Sequence, residues 1–376
     1  MLKICHIVDN ARPGVGVTQV VYDLMTADGV ECRGIFTGGS DLDARFSGLV
    51  SQGAITLAAS PAELARALQS LKRDGFRLLH VHSRKSAWLC MLARLSGFRI
   101  VRTQHFGTLA RGRPKRPQAL ARLRNILTGR IWWIDRWAAV SRTSKRYIQS
   151  RWGVPDARIS IVWNGIDVDK FTPCPAGRRA ALRQQLGLED GWIVLISVGS
   201  LVARKRHGSI IKAFADIPDR PGNARLVILG EGSERPRLEQ LAADCGLDGK
   251  VILPGRRDDV AAWAAVSDIY VHAALDEAFG LAVAEAMACG NPAIAAGTMG
   301  PAEIVEDGEN GLLVADGSAE GLSAAMARLI ADGALRARLG EAARRHAVQR
   351  YSLQAMCQGY AALYQSVLQA PGAAHG

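Results

Sequence analysis

The chain has 376 residues, of which 48% are hydrophobic and 22% are charged, and its formal net charge is +12. This composition is that of a globular protein, and it excludes extensive disorder, a collagen and a coiled-coil rod. No apolar run approaches the roughly 18–20 residues that a membrane-spanning helix needs, and the apolar start is too short for a signal peptide. The seven scattered cysteines contain no C-x-x-C pair, so we expect no disulfide framework, no structural zinc and a cytoplasmic location.

Short apolar runs alternate with amphipathic segments along the chain and predict strands separated by helices. In the first half the predicted strands are 2–8, 30–36, 54–58, 78–82, 99–104, 137–140 and 159–162, and a helix is predicted over 61–74. In the second half the predicted strands are 193–198, 226–229, 251–253, 269–271, 292–295 and 312–314. The helices between them are predicted over 208–217, 234–244, 258–266, 281–289, 319–332 and 335–348. Because the strands lack alternation, we expect parallel sheets covered by helices.

This α/β series occurs twice, which predicts two doubly wound, Rossmann-like domains. A Pro-rich break at 171–177 separates them, so we expect a first domain over 1–172 and a second over 173–351. A last helix over 352–369 returns to the first domain, and 370–376 form a disordered tail. Ligands bind outside the carboxyl ends of the strands in such sheets. Two domains facing each other would therefore form a cleft with one substrate on each side.

The positive charge is concentrated in segment 102–151. This segment holds 13 Lys and Arg residues and one acid, Asp135, so it carries the whole net charge of the chain. Its basic residues are interleaved with apolar and aromatic ones at helical spacing, which favours contact with anionic lipid headgroups or a phosphorylated acceptor. The simpler alternative is a solvated basic face whose tryptophans pack into a core. Nucleic acid is disfavoured as a partner, because no recognition motif accompanies the charge.

The run 276–290 carries the strongest chemical signal. A turn after a predicted strand contains Glu277 and Gly280, and the following helix contains Glu285. The free amide groups at the start of that helix can bind an anion or sugar hydroxyls, and Gly280 lets a ligand approach the backbone. Each carboxylate can accept paired hydrogen bonds from a diol. Two solvated glutamates are the simpler alternative, which the surrounding apolar residues and glycines weaken.

This run resembles the E-x7-E signature of retaining glycosyltransferase family 4, the glycosyl transferases group 1, whose members have the two-domain GT-B fold. Other segments resemble the same family in the same order and cover nearly the whole chain. They are His80-Val81-His82, Thr103-Gln104-His105, Asn164-Gly165-Ile166-Asp167 with Phe171, Val198–Lys205, and Gly297–Val305 with Asn310-Gly311. Together these segments are specific for the superfamily and much less so for a substrate.

The resemblance implies that the second domain binds a nucleotide-diphosphate sugar and the first an acceptor. Glu285 would bind the ribose hydroxyls of the nucleotide. Lys205 would neutralise the diphosphate as the sugar leaves, which stabilises the transition state more than the ground state. Glu277 would hold the donor sugar together with the amide groups of Phe279, Gly280 and Leu281.

The sequence departs from the family at Ser200, where an arginine normally clamps the phosphates. Losing one charge-assisted contact costs roughly 1.5–3 kcal/mol. Arg204 and Arg206 flank Lys205 and are candidates to replace it; otherwise the donor is bound weakly or the enzyme is specialised. Arg256, just after a predicted strand, is a candidate to lie beside the nucleotide base.

In the first domain, Gly14-Val15-Gly16 forms a glycine turn between the first strand and an amphipathic pattern. It is not the full dinucleotide fingerprint, but the resemblance places Gly14 and Gly16 beside the donor diphosphate. His105 follows a predicted strand, and the resemblance places it near the reacting sugar carbon. A lone histidine is more often a structural hydrogen-bonding residue.

We expect no metal and no cofactor other than the nucleotide-diphosphate sugar as co-substrate. Asp41-Leu42-Asp43 has the D-x-D form that binds Mg²⁺ in a different glycosyltransferase fold, but here it lacks that context and reads as a surface turn. The resemblance also implies that no positioned base is needed, because the departing phosphate oxygen can accept the proton of the acceptor.

These observations predict a retaining, metal-independent, hexosyltransferase-type enzyme. It would move a sugar from a UDP- or GDP-sugar to a lipid-linked or surface-polysaccharide acceptor, as in lipopolysaccharide or exopolysaccharide biosynthesis. Segment 102–151 would hold it peripherally on the anionic inner face of the cell membrane. Two alternatives stay open: a sugar-nucleotide epimerase of the same fold, and a catalytically weak, membrane-associated binding homologue, for which Ser200 is the motivating feature.

Overall fold

The structure is a computed structural model that describes residues 1–9, 16–37, 42–82, 87–105, 133–175, 177–297 and 299–370. The chain divides into two compact units. One comprises Met1–Gly165 with the chain from Gln354 on, and the other comprises Ile166–Leu353. Each unit is built on one parallel sheet, which confirms the predicted α/β class. Among the described residues, none of the helices combines the length and apolarity needed to cross a membrane.

The first unit contains seven described strands, each within two residues of its predicted ends. They are β1 (Leu2–Val8), β2 (Val30–Phe36), β3 (Ile55–Leu57), β4 (Leu78–Val81), β5 (Arg99–Gln104), β6 (Arg136–Ala139) and β7 (Ile159–Ile161). The strands pair in parallel in the order β3-β2-β1-β4-β5-β6-β7. The described helices of this half are α1 (Gly16–Met25), α2 (Ser47–Ser51), α3 (Pro61–Arg73), α4 (Ala87–Leu95) and α5 (Arg142–Trp152).

Local sequence signals account for these elements. Helix α3 begins at a capping box: the Ser60 hydroxyl accepts a hydrogen bond from the Glu63 amide, and the Glu63 carboxylate accepts one from the Ser60 amide. Its apolar positions recur at three- and four-residue spacing, so one face of the helix is buried against the sheet. Strand β4 is buried along its whole length, as expected of a strand covered by helices on both faces.

The second unit contains six described strands and eight described helices. Its strands are β8 (Ile193–Val198), β9 (Ala224–Leu229), β10 (Val251–Gly255), β11 (Ile269–His272), β12 (Ala293–Ala296) and β13 (Gly311–Val314), paired in the order β10-β9-β8-β11-β12-β13. Its helices are α6 (Arg179–Gln185), α7 (His207–Ala215), α8 (Arg235–Asp244), α9 (Val260–Val266), α10 (Leu281–Ala288), α11 (Gly300–Ile304), α12 (Ala319–Ala331) and α13 (Gly333–Tyr351).

Helix α14 (Leu353–Gln369) packs on the sheet of the first unit. The Tyr364 hydroxyl lies 2.7 Å from His80 Nδ1 on β4, and the Tyr360 hydroxyl lies 3.0 Å from Thr103 Oγ1 on β5. Both tyrosines are buried, so these hydrogen bonds satisfy polar groups that water does not reach. The last helix thus completes the core of the unit in which the chain begins.

The second unit starts at Ile166, ahead of the Pro-rich break in the sequence. The Arg344 guanidinium on α13 donates to the carbonyl groups of Val168 and Phe171, at 3.0 and 2.8 Å, and to that of Ala288 at 2.7 Å. These hydrogen bonds tie the segment that precedes the break to the second unit. The chain therefore joins that unit before its first helix.

Each sheet has a point at which the strand order reverses. Strand β1 lies between β2 and β4, and β8 lies between β9 and β11. In doubly wound sheets the connections on the two sides of such a switch point diverge, which opens a crevice at the carboxyl ends of the two central strands. Site residues are therefore expected after β1 and β4 in the first unit, and after β8 and β11 in the second.

Candidate active site

Two predicted site residues meet at the switch point of the second unit. Lys205 lies in the turn after β8 and Glu277 in the turn after β11, and Lys205 Nζ is 2.5 Å from Glu277 Oε2. The two side chains are 14% and 22% exposed. Although 72 residues separate them in the chain, neighbouring parallel strands bring their turns to one edge of the sheet.

The surroundings of this pair favour the charged state of Glu277. Burial is the largest single influence and opposes ionisation of the carboxyl group, but the charge of Lys205, then that of His272, the hydrogen bond from Lys205 and the charge of Arg204 together outweigh it. The pKa of Glu277 is therefore lowered from its usual value. The result is a nearly buried ion pair at the edge where a ligand is expected.

His272, the last residue of β11, stands beside the pair and was missed by sequence reasoning. Its Nε2 lies 3.9 Å from Glu277 Oε2. Burial lowers its pKa to about 4, against the opposing influence of Glu277, so the imidazole is neutral at neutral pH. That buried Nε2 has no hydrogen-bond partner among the described residues. An unpartnered buried polar group costs about 1–3 kcal/mol, so this atom points to a polar ligand.

His207 opens helix α7 next to Lys205 and was also missed. Its Nδ1 lies 3.4 Å from the Ser197 hydroxyl on β8. Burial and then the Lys205 charge lower its pKa to about 4, so this second imidazole is neutral as well. His207 is only two residues from Lys205 in the sequence, but no motif marks it. The proximity of His272 to Lys205 is hidden in the sequence, because it depends on the pairing of β8 with β11.

The backbone after Glu277 is held in one conformation by two glycines. Gly280 has φ +107°, and a Cβ there would lie 3.2 Å from Pro301 Cγ, so the position favours glycine. The Gly300 amide donates to the Glu277 carbonyl at 3.1 Å. A Cβ on Gly300 would come within 2.5 Å of the backbone of Ala278. The turn that leads into α10 is thereby packed against the start of α11.

The other predicted residues of this run lie around that turn. Leu281 is the first residue of α10, and the Phe279 side chain is buried, with its ring 5.5 Å from that of Tyr351. Glu285 lies on α10 and is half-buried. Burial, and then the charges of Glu285 and Glu277, raise the pKa of the Tyr270 hydroxyl on β11. Both carboxylates therefore act on the same end of the sheet.

The residues predicted to contact the phosphates and the nucleotide base lie around the Lys205–Glu277 pair or at a distance from it. Ser200 and Arg204 are exposed, and Arg204 is close enough to contribute to the lowered pKa of Glu277. Arg206 donates to the Ala273 carbonyl at 3.4 Å. Arg256 is exposed after the edge strand β10, which β9 separates from β8. The structure thus brings together Lys205 and Glu277, with Glu285 on the helix that follows Glu277, and it leaves Arg256 two strands away from Lys205.

The first unit contains four buried histidines at its switch point, of which sequence reasoning singled out His105. His105 follows β5, and its Nε2 lies 2.8 Å from Nδ1 of His82, which follows β4. His82 Nε2 lies 3.0 Å from Nδ1 of His6 on β1. The fourth, His80, hydrogen-bonds the Tyr364 hydroxyl. Sequence separations of 76 and 23 residues concealed these contacts.

Several predictions for the first unit lie outside the described residues. These are Gly14, Asp41, residues 106–132 of segment 102–151, and 371–376 of the tail. Gly16 is the first residue of α1 and is exposed. Asp43 caps the short turn at Ala44–Phe46 and pairs with Arg45 at 2.7 Å.

Arg102 shows that part of the basic segment is internal. Its guanidinium lies 5.0 Å from the ring centre of Trp137 and 5.5 Å from that of Trp152, and the residue is 7% exposed. Trp137 is fully buried. Trp137 therefore belongs to the core of the first unit, as the simpler of the two interpretations of this segment requires of its tryptophans. Trp152, just outside the segment, packs against the same core.

Two doubly wound parallel sheets, the second with a charged site at its switch point, define the GT-B class of fold. A sequence model described as "Glycosyl transferases group 1" matches residues 178–346, and one described as "Glycosyltransferase Family 4" matches residues 16–170. The chain belongs to this glycosyltransferase family, which confirms the resemblance.

Relatives of known name agree with this membership. The "Lipopolysaccharide core biosynthesis glycosyltransferase LpsE" of Rhizobium meliloti is 36% identical over 173 residues, 46% of this chain and 50% of that protein. The "D-inositol 3-phosphate glycosyltransferase" of Salinispora arenicola is 30% identical over 312 residues, 77% of this chain and 69% of that protein. In several other curated relatives the match spans about half of their length.

A solved structure shows the same fold. The crystal structure of Anabaena Alr3699/HepE in complex with UDP matches with a TM-score of 0.82 and 23% sequence identity, over 97% of this chain and 100% of that chain.

Proposed function

We propose that this protein is a retaining glycosyltransferase that moves a sugar from a UDP- or GDP-sugar to a lipid-linked or surface-polysaccharide acceptor. The observation that carries the proposal is the nearly buried Lys205–Glu277 ion pair at the switch point of the second unit, beside the unpartnered Nε2 of His272. Membership of the family supports the reaction class.

In this proposal Lys205 changes partner when the donor binds. The diphosphate replaces the Glu277 carboxylate as the neighbour of the ammonium group. Negative charge then grows on the phosphate oxygen as the glycosidic bond breaks, and a fixed ammonium group stabilises that charge more in the transition state than in the ground state. Lys205 is therefore one of the two proposed catalytic residues of the second unit, and Glu277 is the other.

Glu277 and Glu285 would hold the hydroxyl groups of the donor. A carboxylate accepts two hydrogen bonds from a diol, so Glu277 would bind the sugar and Glu285 the ribose. The amide groups of Phe279, Gly280 and Leu281, where α10 begins, would add donors near the diphosphate. We propose that Ser200, Arg204 and Arg256 contact the outer parts of the bound nucleotide sugar. Arg204 would supply the positive charge that Ser200 lacks.

We propose that transfer retains the anomeric configuration and requires no metal. The departing phosphate oxygen would accept the acceptor's proton on the face that the sugar leaves, and Lys205 with the amide groups would supply the positive charge. His105 is the proposed catalytic residue of the first unit, through a hydrogen bond to a sugar hydroxyl. Activity that persists in EDTA would support the metal-free scheme, whereas loss of activity that Mg²⁺ restores would contradict it.

The acceptor side of the proposal rests on charge and on the name of one relative. The relative from Rhizobium meliloti is named for lipopolysaccharide core biosynthesis, which favours a lipid-linked saccharide. Segment 102–151 carries the whole net charge of the chain, and we propose that it holds the protein on the anionic inner face of the cell membrane. Co-sedimentation with anionic but not zwitterionic vesicles at 150 mM salt would support this, and equal binding to both would contradict it.

The decisive experiment measures nucleotide release from UDP- and GDP-sugars with lipopolysaccharide core oligosaccharides and lipid-linked saccharides as acceptors. We expect Lys205→Ala and Glu285→Ala to reduce release by about 100-fold or more. Lys212→Ala, an exposed lysine on α7, is the matched control and should keep full activity. Unchanged release in both site variants would contradict the site, and isomerised nucleotide sugar without acceptor would favour an epimerase instead.

A further inference from the structure

A continuous hydrogen-bonded chain of side chains runs from His105 into the first unit. His105 Nε2 meets His82 Nδ1 at 2.8 Å, and His82 Nε2 meets His6 Nδ1 at 3.0 Å. His6 Nε2 then meets Cys32 Sγ at 3.8 Å, and the Cys32 thiol donates to the Leu24 carbonyl at 3.5 Å. At the other end, the buried His105 Nδ1 has no hydrogen-bond partner among the described residues.

Every ring in this chain is neutral, so each carries a single N–H. Burial lowers the pKa of His6 and of His105 to about 3, and it lowers that of His82 well below the usual value. Burial also raises the pKa of Cys32 to about 12, which keeps its sulfur protonated. A neutral imidazole donates from one nitrogen and accepts at the other. The orientation of one link therefore determines all the others.

The Leu24 carbonyl sets that orientation, because a carbonyl oxygen can only accept. The Cys32 thiol donates its only proton to this oxygen, so its sulfur accepts a hydrogen bond from His6. The N–H of His6 must then be on Nε2. His6 Nδ1 accepts in turn, which places the proton of His82 on Nε2. By the same step the proton of His105 is on Nε2. The free atom at the end of the chain, His105 Nδ1, is left as a bare lone pair.

We propose that Cys32, His6 and His82 are positioning residues that fix the tautomer of His105, so that its Nδ1 accepts a hydrogen bond from a hydroxyl group of a bound saccharide. The identity of that ligand rests on the proposed function. The tautomer itself depends only on the contacts of the first unit. The opposite tautomer would offer an N–H at the same place and could not accept from a hydroxyl group.

A metal ion is the competing use of this cluster. One ligand atom each of His6, His80 and His82 lies within 4.8 Å of the others, a spacing that a metal could bridge. Both nitrogens of His80 are, however, engaged by hydroxyl groups, at 2.7 Å from Tyr364 and 2.6 Å from Thr103. Both nitrogens of His82 are engaged by the other histidines. The hydrogen bonds thus account for the ring nitrogens of His80 and His82.

The direct test is the protonation pattern of the ¹⁵N-histidine-labelled full chain, read from long-range ¹H–¹⁵N correlations and assigned with single histidine variants. We expect His6, His82 and His105 to be Nε2–H tautomers at pH 7.5. An Nδ1–H tautomer of His105 would overturn the proposal, and so would stoichiometric metal in the purified protein. This result does not depend on activity, so it stands apart from success or failure of the proposed function.

A pair of variants at His82 tests the functional consequence. His82→Phe keeps a ring but removes the acceptor for His105 Nε2–H, whereas the Oδ1 of His82→Asn reaches the place of Nδ1 and can still accept. We expect kcat to fall about 10- to 100-fold in the Phe variant and less than 5-fold in the Asn variant, with UDP affinity unchanged in both. Equal losses of kcat in the two variants would indicate that His82 has a merely structural role, and they would overturn the proposal. If His82→Phe does not fold, the tautomer measurement decides.

Discussion

In the second unit, Lys205 is already paired with Glu277 before any ligand binds. Their 2.5 Å contact means that a diphosphate must compete with a carboxylate for the ammonium group. The same carboxylate is proposed to hold the donor sugar. Binding of nucleotide and transfer of sugar should therefore respond in opposite directions when the charge of Glu277 is removed.

Glu277→Gln tests this separation. The amide keeps the shape of the side chain but frees Lys205, so we expect UDP to bind up to about 10-fold more tightly while sugar transfer falls at least about 10-fold. Calorimetric titration with UDP and a nucleotide-release assay measure the two effects. Glu239→Gln, which changes an exposed carboxylate paired with Arg235 on α8, is the control. Weaker UDP binding in Glu277→Gln would contradict the competition.

Arg183 is the residue on which the first helix of the second unit depends. Its guanidinium is 2% exposed. It donates to the carbonyl groups of Val266, Asp190 and Trp192 and to the carboxylate of Asp268. A buried cation is tolerated here because each nitrogen of the planar guanidinium group donates to an acceptor.

We expect Arg183→Met to lower the free energy of unfolding by about 3–5 kcal/mol, because it leaves Asp268 and three carbonyl groups without this donor. Urea unfolding monitored by tryptophan fluorescence measures the change. Arg178→Met, at an exposed neighbouring position, should shift the midpoint very little. A loss below about 1 kcal/mol in Arg183→Met would show that water or Arg179 replaces the missing contacts.

At the scale of elements, helix α14 is attached to the first sheet by polar contacts as well as by apolar packing. The Tyr364 hydroxyl forms a hydrogen bond with His80, and the Tyr360 hydroxyl forms one with Thr103. The Thr103 hydroxyl in turn lies 2.6 Å from His80 Nε2. This small network joins a helix near the end of the chain to strands β4 and β5. It fixes the position of the helix more narrowly than apolar contact alone would.

Tyr364→Phe tests this attachment. The ring and its packing remain, but His80 Nδ1 loses its partner in a buried site, so we expect the first unit to lose about 1–3 kcal/mol of stability. Thermal unfolding and amide hydrogen exchange in α14 measure the loss. Tyr147→Phe, on the partly exposed face of α5, is the matched control. Equal stability of the Tyr364 variant and the wild type would contradict the role of this hydrogen bond.

The elements themselves could be predicted well from the sequence. All thirteen predicted strands occur, since an unbroken apolar run between helices has no other stable place than a covered parallel sheet. Lys205, Glu277 and Glu285 could be predicted because they stand in a local run with a recognisable spacing. His207 could not be predicted because no local motif marks it. His6, His82 and His272 could not be predicted as site residues for another reason. Their contacts depend on the neighbours of each strand, as in the pairing of His6 with His80 across β1 and β4.

At the scale of the whole molecule, buried neutral histidines predict sensitivity to acid. His6 and His105 have pKa values of about 3 in the folded state against about 6.5 in an unfolded chain. Below pH 6.5 the unfolded chain binds protons that the folded chain does not. As the pH is lowered below 6.5, the free energy of unfolding therefore decreases by about 1.4 kcal/mol per pH unit for each histidine, until the pH reaches the pKa of the folded state.

From these two residues alone we expect a loss of about 4 kcal/mol at pH 5 relative to pH 7.5. Urea midpoints of the wild type at the two pH values measure it. His105→Gln removes one of these two groups and should reduce the loss by about 2 kcal/mol, whatever its stability at pH 7.5. A free energy of unfolding that stays constant between pH 7.5 and 5 would show that these rings become protonated without unfolding.

The return of α14 to the first unit has a consequence for biosynthesis. During translation the hydroxyl and imidazole groups on β4 and β5 stay uncovered until the helix that covers them has been made, and this helix is translated after the whole second unit. The second unit, Ile166–Leu353, is complete as soon as Leu353 has left the exit tunnel. The unit that is translated first can therefore complete its folding only after the second unit has been made, and a nascent chain stalled before α14 should be a ready substrate for chaperones and proteases.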